Sequence, residues 1–379
     1  MRVLLISPTD PDKPTRLTSL MGGENTYTQM LLRYPPKHVE FIYFETALKN
    51  HEIAYHPLFY VLLYLQKFCI LPPGPRAYLF NLNYKYDLIY AHAHPVKIYG
   101  KQIPLVISDS SSNKVFLEKY LRLKNWQVYA WQAIKKNIFK SLGIIDGEIN
   151  TKLASNFFVF SKWAKKIKYA DLNIKDCEVL YPGLPVPKIK IKHQSKNIKL
   201  LFVGVWFERK GGRILLNVFR KLRTSFPNIS LTILGQLPNQ LIINRGEGIT
   251  QQNYVTYEEL KKQYRIHDVL VHIPPEIEGY GMTVAEAMSY GMCPVVSNIC
   301  VLPELIENNK SGILIKPASQ RALETTLTKL LVNPKLIARL KQGARQRFIT
   351  HFSIAVTNKK LLAVFEKATK VSNFSLSEK

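Results

Sequence analysis

Cysteine is scarce: the 379-residue chain holds four, Cys69, Cys177, Cys293 and Cys300, none in a CxxC pair. That excludes a disulfide-stapled scaffold and fits free thiols in a reducing compartment. Acidic residues are also few, 27 Asp and Glu against 53 Lys and Arg, so the net charge is +26. Long apolar runs are missing. The longest, LFYVLLYLQKFCIL between Pro57 and Pro72, falls short of the ~20 residues needed to span a bilayer. It reads as a buried core helix, or as an in-plane contact with a membrane or a lipid acceptor. The opening Met-Arg-Val-Leu-Leu-Ile-Ser-Pro is too short an apolar run for a signal peptide and breaks at Pro8, so it reads as a buried first strand. Only a short tail, Ser372 to Lys379, is polar enough to read as disordered.

What is present begins with charge. Residues 1–190 carry 26 basic and 14 acidic residues (+12), and residues 191–379 carry 27 and 13 (+14). The excess belongs to the whole chain, not to a basic tail. Such a field favours polyanions: nucleotides, nucleic acid or an anionic membrane. A nucleic-acid reader should also show zinc spacing, an aromatic RNP-type strand or a helix-turn-helix pattern, and none is visible.

Length suggests two domains. Apolar runs alternate with helical patterns: Val3 to Ile6, Val39 to Phe44, Tyr86 to Ala91, Leu105 to Ile107, Phe157 to Phe160 and Val179 to Tyr181 read as strands. A loop with Gly22 and Gly23 precedes a helix from about Glu24 to Leu32. Runs this apolar suit parallel strands covered on both faces. The break falls at Tyr181-Pro-Gly-Leu-Pro-Val-Pro and the basic stretch after it. The pattern then restarts, with strands at Leu200 to Gly204, Leu231 to Gly235, Val269 to Ile273 and Pro294 to Ser297. Helices alternate with them at Gly212 to Phe226, Glu258 to Arg265 and Thr283 to Tyr290, the last closed by Gly291. The expected class is α/β, with two doubly wound domains facing across a cleft that binds the ligand at the strands' carboxyl ends.

The richest segment is Pro275-Glu-Ile-Glu-Gly-Tyr-Gly-Met-Thr-Val-Ala-Glu-Ala-Met-Ser-Tyr-Gly. Glu278 opens a turn, Gly279 and Gly281 flank Tyr280, and a helix starts near Thr283 with Glu286 on its first turn. A helix N-terminus offers free N–H groups and partial positive charge to an anion. Glycines let backbone approach it, and Thr283 can cap the helix or donate to a phosphate. Carboxylates repel phosphate but accept hydrogen bonds from sugar hydroxyls. A diphosphate between two polyols, a nucleotide-sugar, satisfies the whole set. Taken singly, Glu286 could complement the helix dipole, Glu278 could be solvated, and the glycines could serve a tight turn.

Glu278 and Glu286 stand in an E-x7-E arrangement within E-G-Y-G-M-x-x-x-E-A-M-S-Y-G, followed by Gly291-x-x-Pro-Val-Val-Ser. This resembles the glycosyl transferases group 1, the retaining family 4 of the GT-B fold. Phe202-Val-Gly with Arg209-Lys-Gly-Gly is similar to that family's phosphate-binding strand and loop, and Gly22-Gly23 to its N-terminal glycine loop. Phe160-Ser161 with Tyr181-Pro-Gly, Leu302-Pro-Glu-Leu-Ile, Ser311-Gly-Ile-Leu-Ile and Phe352 to Glu366 resemble later family segments. The resemblance implies an acceptor-binding Rossmann-like domain over 1–185, completed by a C-terminal helix at about 352–372. It implies a nucleotide-sugar-binding domain over 196–350.

By the same resemblance, Glu286 would hold the ribose hydroxyls and Glu278 the transferred sugar. The backbone from Gly279 through Tyr280, Gly281 and Met282 to Thr283 would hold sugar and diphosphate. Lys210 and Arg209 would neutralise the leaving diphosphate, next to Gly204, and Gly23 would approach from the other domain. The family retains anomeric configuration and needs no metal, so neither cofactor nor metal is expected. Two departures stand out. Val205 follows the strand glycine where many relatives have Arg, and Asp109 occupies the neighbourhood of a family His. Acceptor-side chemistry then falls to Asp109, His92 or His94. The pair His92-Ala-His94 has metal-ligand spacing without a third ligand nearby.

Two basic segments interleave aromatics: Lys114 to Lys140, with seven basic residues and one acid, and Lys152 to Lys168, with five lysines and no acid. Each reads as a helix with a solvated lysine face, or as a contact with an anionic leaflet. The expected protein is a cytoplasmic glycosyltransferase, peripheral on the inner membrane face. It would move a hexose-type sugar to a glycan or lipid-linked acceptor in cell-surface polysaccharide, lipopolysaccharide or glycolipid synthesis, without specific nucleic acid binding. The alternatives are a catalytically impaired relative of the same fold and a basic nucleic-acid-binding protein.

Overall fold

The computed structural model describes residues 1–7, 22–68, 78–93, 96–100, 103–110, 113–115, 118–119, 122–141, 154–172, 177–189, 197–244 and 246–377. The chain divides into two units. One holds the N-terminal strand, Glu24–Pro182 and the residues from Thr357 on; the other holds Gly183–Val356 together with Gly22 and Gly23.

In the first unit the strands are β1 (Arg2–Ile6), β2 (Glu40–Tyr43), β3 (Ile53–Tyr55), β4 (Tyr78–Leu82), β5 (Leu88–His92), β6 (Val96–Tyr99), β7 (Leu105–Asp109), β8 (Asn156–Val159) and β9 (Glu178–Val179). Its main sheet runs β2-β1-β5-β7-β8-β9, and every pairing in it is parallel. Val3, Leu4, Leu5, Leu88, Ile89 and Tyr90 have no exposed surface, as strands covered on both faces require. The helices are α1 (Gly22–Arg33), α2 (Phe44–Lys49), α3 (Pro57–Lys67), α4 (Asn125–Ser141) and α5 (Lys162–Leu172). The two glycines expected in a loop therefore open α1 instead.

A small sheet, β3-β4-β6, went unrecognised in the sequence. Its strands are short and its members Asn81 and Lys97 are polar, so pairing, not pattern, makes it. The expectation of a buried helix at residues 57–72 holds for one side of α3 only. Phe59 and Leu62 are buried over Leu79, while Tyr60 and Tyr64 are exposed.

In the second unit come β10 (Lys199–Val203), α6 (Gly212–Ser225), β11 (Ser230–Leu234), β12 (Ile249–Gln252), α7 (Tyr257–Ile266), β13 (Val269–His272), α8 (Met282–Ser289), β14 (Cys293–Ser297), α9 (Leu302–Leu305), β15 (Ile313–Ile315), α10 (Gln320–Leu331) and α11 (Pro334–His351). The sheet order is β12-β11-β10-β13-β14-β15, again all parallel. The order reverses between β10 and β13. At such a switch point the loops leaving adjacent strands diverge to opposite faces and open a crevice at the carboxyl ends. One core of strand residues with Leu215, Leu216, Phe219 and Leu222 of α6 and Leu323, Leu327 and Leu340 of α10 and α11 holds the layers together.

The last helix, α12 (Ile354–Ser377), begins in the second unit and continues in the first. There the Thr357 hydroxyl donates to the Tyr181 carbonyl at 2.9 Å and the Asn358 amide to that of Tyr34 at 2.8 Å. Phe365 packs edge-on against Phe41 and beside Tyr90.

Candidate active site

The switch point of the second unit gathers its charged side chains. After β10 the chain turns through Gly204, Val205 and Trp206 and enters a tight loop before α6. Gly204 stays tied to β11, its N–H donating to the Leu234 carbonyl at 2.9 Å. Lys210 ends the loop, and its carbonyl accepts from the Ile273 N–H at the end of β13, at 3.3 Å. Gly211 follows at φ 81°, and a Cβ there would sit 2.3 Å from the Ile273 carbonyl oxygen. Only glycine lets this loop press against β13, and that contact carries Lys210 across the switch point.

Lys210 reaches Glu278, the residue that opens the turn after β13, and their side chains form a nearly buried ion pair. His272, the last residue of β13, donates from Nε2 to the same carboxylate oxygen, Oε2, at 2.7 Å. The imidazole is 1% exposed, and its Nδ1 has no hydrogen-bond partner among the described residues. Burial first, then the Lys210 charge, pushes the His272 pKa down, so the ring is neutral with its proton on Nε2. Burial alone would raise the Glu278 carboxyl. Lys210 and His272 outweigh it and hold Glu278 well below the usual carboxylate range. Burial lowers the Lys210 pKa, opposed by Glu278 and reinforced by the nearby Arg209 guanidinium.

Glu286 lies eight residues on and behaves oppositely. It is buried, and Tyr264 of α7 donates its hydroxyl to Oε2 at 2.8 Å. Burial pushes the carboxyl up to about 7, against the hydrogen bonds from Tyr264 and Tyr257. Among the described residues no cation offsets this burial, so the carboxyl titrates around neutrality instead of staying fully ionised. Two glutamates on one turn and helix are thus set to different protonation states by their surroundings.

Gly281 sits at the N-cap of α8 with φ 77°. That left-handed residue turns the chain sharply into the helix and leaves the first N–H groups of α8 open, a site suited to an anion. Two local expectations change here. Thr283 is not the cap but the second helical residue, and no side chain caps this helix. Glu286 is the fifth helical residue, on the second turn, which turns it inward to Tyr264. Tyr280 and Met282 are buried, and Gly279 lies in the turn between Glu278 and Tyr280. Ser297, at the end of β14, is buried with its hydroxyl unpartnered among the described residues.

Thr256 caps α7 in a capping box with Glu259, which sets Tyr257 and Tyr264 on the helix side that meets Glu286. Their i, i+7 spacing was the readable signal. His272 offered none, because a histidine at the end of an apolar strand looks like any strand residue.

In the first unit, Asp109 ends β7 and is half-buried. His92 ends β5 with no exposed surface. Its Nδ1 lies 2.8 Å from the Ser108 hydroxyl, and its ring stacks on Phe160 at 4.7 Å and meets Tyr27 edge-on. Ser108 continues a buried polar chain through Tyr90 to Tyr27, at 2.7 and 2.6 Å. His94 lies outside the described residues, and so does Cys69. Among the described residues no three His, Cys, Asp or Glu side chains gather to hold a metal.

Residues 187–347 match the family Glycosyl transferases group 1. That match falls in the second unit, which resembles a group 1 glycosyltransferase domain. The chain is also similar to the amylovoran biosynthesis glycosyltransferase AmsK of Erwinia amylovora, 24% identical over 222 residues, 54% of each chain. Among solved structures it is similar to a sucrose-phosphate synthase from Thermosynechococcus elongatus, with a TM-score of 0.64 at 15% identity over 98% of this chain and 99% of that one. It is likewise similar to HepE of Anabaena in complex with UDP-glucose, with a TM-score of 0.63 at 14% identity over 97% and 99%. At such identities the likeness carries the fold: two Rossmann-like units, the GT-B architecture. Stretches shared with the first curated relatives span 34% and 60% of those proteins' lengths. Within the matched residues, Lys210, His272, Glu278, Glu286, Tyr257 and Tyr264 gather at the switch point of the second unit.

Proposed function

We propose that this protein is a retaining glycosyltransferase that moves a hexose from a nucleotide-sugar to a glycan or lipid-linked acceptor. The observation that carries the reading is the opposed pair of glutamates: Glu278 held ionised by Lys210 and His272, and Glu286 held in a cation-free pocket under two tyrosines. The crystallised complex of HepE with UDP-glucose supports a nucleoside diphosphate sugar as donor. The biosynthetic role in the name of AmsK supports a polysaccharide-type acceptor.

Glu286 takes the ribose, its carboxyl accepting from the two vicinal hydroxyls. Glu278 takes a hydroxyl of the transferred sugar on Oε1, the oxygen left over by Lys210 and His272. The open N–H groups of α8 and the backbone from Gly279 to Thr283 hold the diphosphate. Lys210 and Arg209 neutralise it as it leaves. A lysine supplies a compact charge and an arginine a planar fork, so no divalent metal is required.

In the transfer, the acceptor oxygen attacks the anomeric carbon from the side the diphosphate leaves. The carbon–phosphate-oxygen bond breaks, and the departing phosphate takes the acceptor's proton. Configuration is retained. Stabilising the growing negative charge on the diphosphate is the main catalytic contribution.

The test is release of nucleoside diphosphate from nucleotide-sugars in the presence of a chelator and a simple glycoside acceptor. The product's anomeric configuration is read by proton NMR. The reading requires metal-free turnover and the donor's own configuration in the product. An inverted product would overturn it.

A further inference from the structure

Two helices of the first unit expose apolar side chains where water-facing residues should be polar. On α3 the outward stripe is Pro57, Tyr60, Val61, Tyr64 and Lys67, continued by Phe68 just past its end. The spacing i, i+3, i+4, i+7 sets these residues on one helical face. Tyr60 is 60%, Tyr64 61% and Phe68 54% exposed. On α4 the outward side holds Trp126, Tyr129, Ala130, Ala133 and Ile134, with Trp126 67% exposed.

Seven of the fifteen large apolar side chains exposed among the described residues belong to these two helices or the residue next to them. Both helices rest on one small core, Phe59, Leu62 and Leu79, against which Ile138 of α4 also packs. The two exposed faces thus belong to helices that meet at one core.

Charge decides what covers them. Neither helix contains an acidic residue. Lys67, Lys124, Lys136 and Lys140 are exposed on or beside them. A protein partner for an apolar face tolerates either sign of charge at its rim. A rim of four exposed lysines against one acid, Glu118, which pairs with Lys114 beside Tyr129, on a chain of net charge +26, selects a negative surface. Tyrosine and tryptophan favour the headgroup level of a bilayer, where one end of the ring is wet and the other apolar. No described helix is long and apolar enough to cross a membrane, so the contact is in-plane.

We propose that the α3–α4 face docks on an anionic lipid bilayer, with Tyr60, Tyr64, Phe68 and Trp126 at the acyl boundary and the lysines at the headgroups. The aromatics contribute apolar burial and the lysines contribute attraction that salt screens. The proposal stands apart from the transfer reading, since it uses no residue of the second unit.

The test is co-sedimentation of the full chain with vesicles of phosphatidylcholine containing about 30% phosphatidylglycerol, at low and high salt. The companion measurement is the Tyr64→Ser/Trp126→Ser variant, whose replaced side chains are mostly exposed and leave the core intact. Circular dichroism and light scattering follow fold and oligomeric state. The expected result is binding at low salt, at least about tenfold weaker in about 0.5 M salt and at least about tenfold weaker in the variant. Three outcomes overturn the proposal: no sedimentation with anionic vesicles at low salt, equal sedimentation of the variant, or an oligomer that the variant dissolves without any vesicle binding. The last would make the face a contact between copies of this chain.

Discussion

Replacing Glu286 with glutamine keeps the shape of the side chain and removes its ionisation, and the Tyr264 hydroxyl can still donate to the amide oxygen. In the folded protein the Glu286 carboxyl titrates at about 7, against an ordinary value of 4.5. A carboxyl raised in this way binds more protons folded than unfolded across that window. Its effect on stability is absent below about pH 4.5, grows as pH rises, and is complete above about pH 7 as a penalty for ionising in a buried site. The full span of roughly 2.5 units is worth about 3 kcal/mol at 1.36 kcal/mol per unit. Between about pH 5 and about pH 8 the wild type should lose about 2 kcal/mol that Glu286→Gln does not lose. Urea denaturation of both proteins at the two pH values reads the difference directly. If the two proteins lose stability in parallel, Glu286 is not a buried acid held protonated, and the opposed-glutamate account fails. The same titration predicts that nucleotide-sugar affinity rises with pH up to about 7, because the ribose hydroxyls need the carboxylate as acceptor.

Three further outcomes are expected. Lys210→Met leaves Glu278 buried beside a neutral histidine alone. It should destabilise the fold by about 3 kcal/mol and slow transfer on the order of a hundredfold, and a double-mutant cycle with Glu278→Gln should recover part of the stability loss. His272→Ala should lower kcat about tenfold with little change in KM, and it should move the acid limb of the pH–rate profile upward as Glu278 loses its hydrogen-bond donor. His272→Asn should restore part of that shift, whereas a purely structural histidine would change stability without moving the profile. Gly211→Ala puts a Cβ 2.3 Å from the Ile273 carbonyl oxygen at a positive φ. It should cost about 2 kcal/mol or more in thermal unfolding and slow transfer as Lys210 moves.

The central strands of both sheets were legible because they are buried on both faces. Leu200-Leu-Phe-Val and Val269-Leu-Val are apolar without interruption, and the structure makes them β10 and β13. The edge strands of the second sheet were not legible. Ile249-Thr-Gln-Gln forms β12 with alternating partial exposure and carries no apolar run to announce it. β15 is three residues long and depends on β14 for its existence. At the candidate site, the glycines and the E-x7-E spacing picked out the segment that follows β13 at the switch point. The side chains that set the protonation of its glutamates come from elsewhere. Lys210 pairs with a residue 68 positions away and Tyr264 with one 22 positions away, and one-dimensional spacing cannot show either. The helix start also shifted, because Gly281 in the left-handed region takes the N-cap from Thr283. That shift decides which way Glu286 faces.

Titration of the purified chain with UDP-, GDP- and ADP-sugars in chelator, by calorimetry and thermal unfolding, tests the central claim most directly. The account predicts that at least one nucleotide-sugar binds without metal. At 100 times its dissociation constant that donor should add about 2.7 kcal/mol to the folded state, and Glu286→Ala should remove the effect. Absence of binding by every nucleotide-sugar, or equal binding by Glu286→Ala, would contradict it.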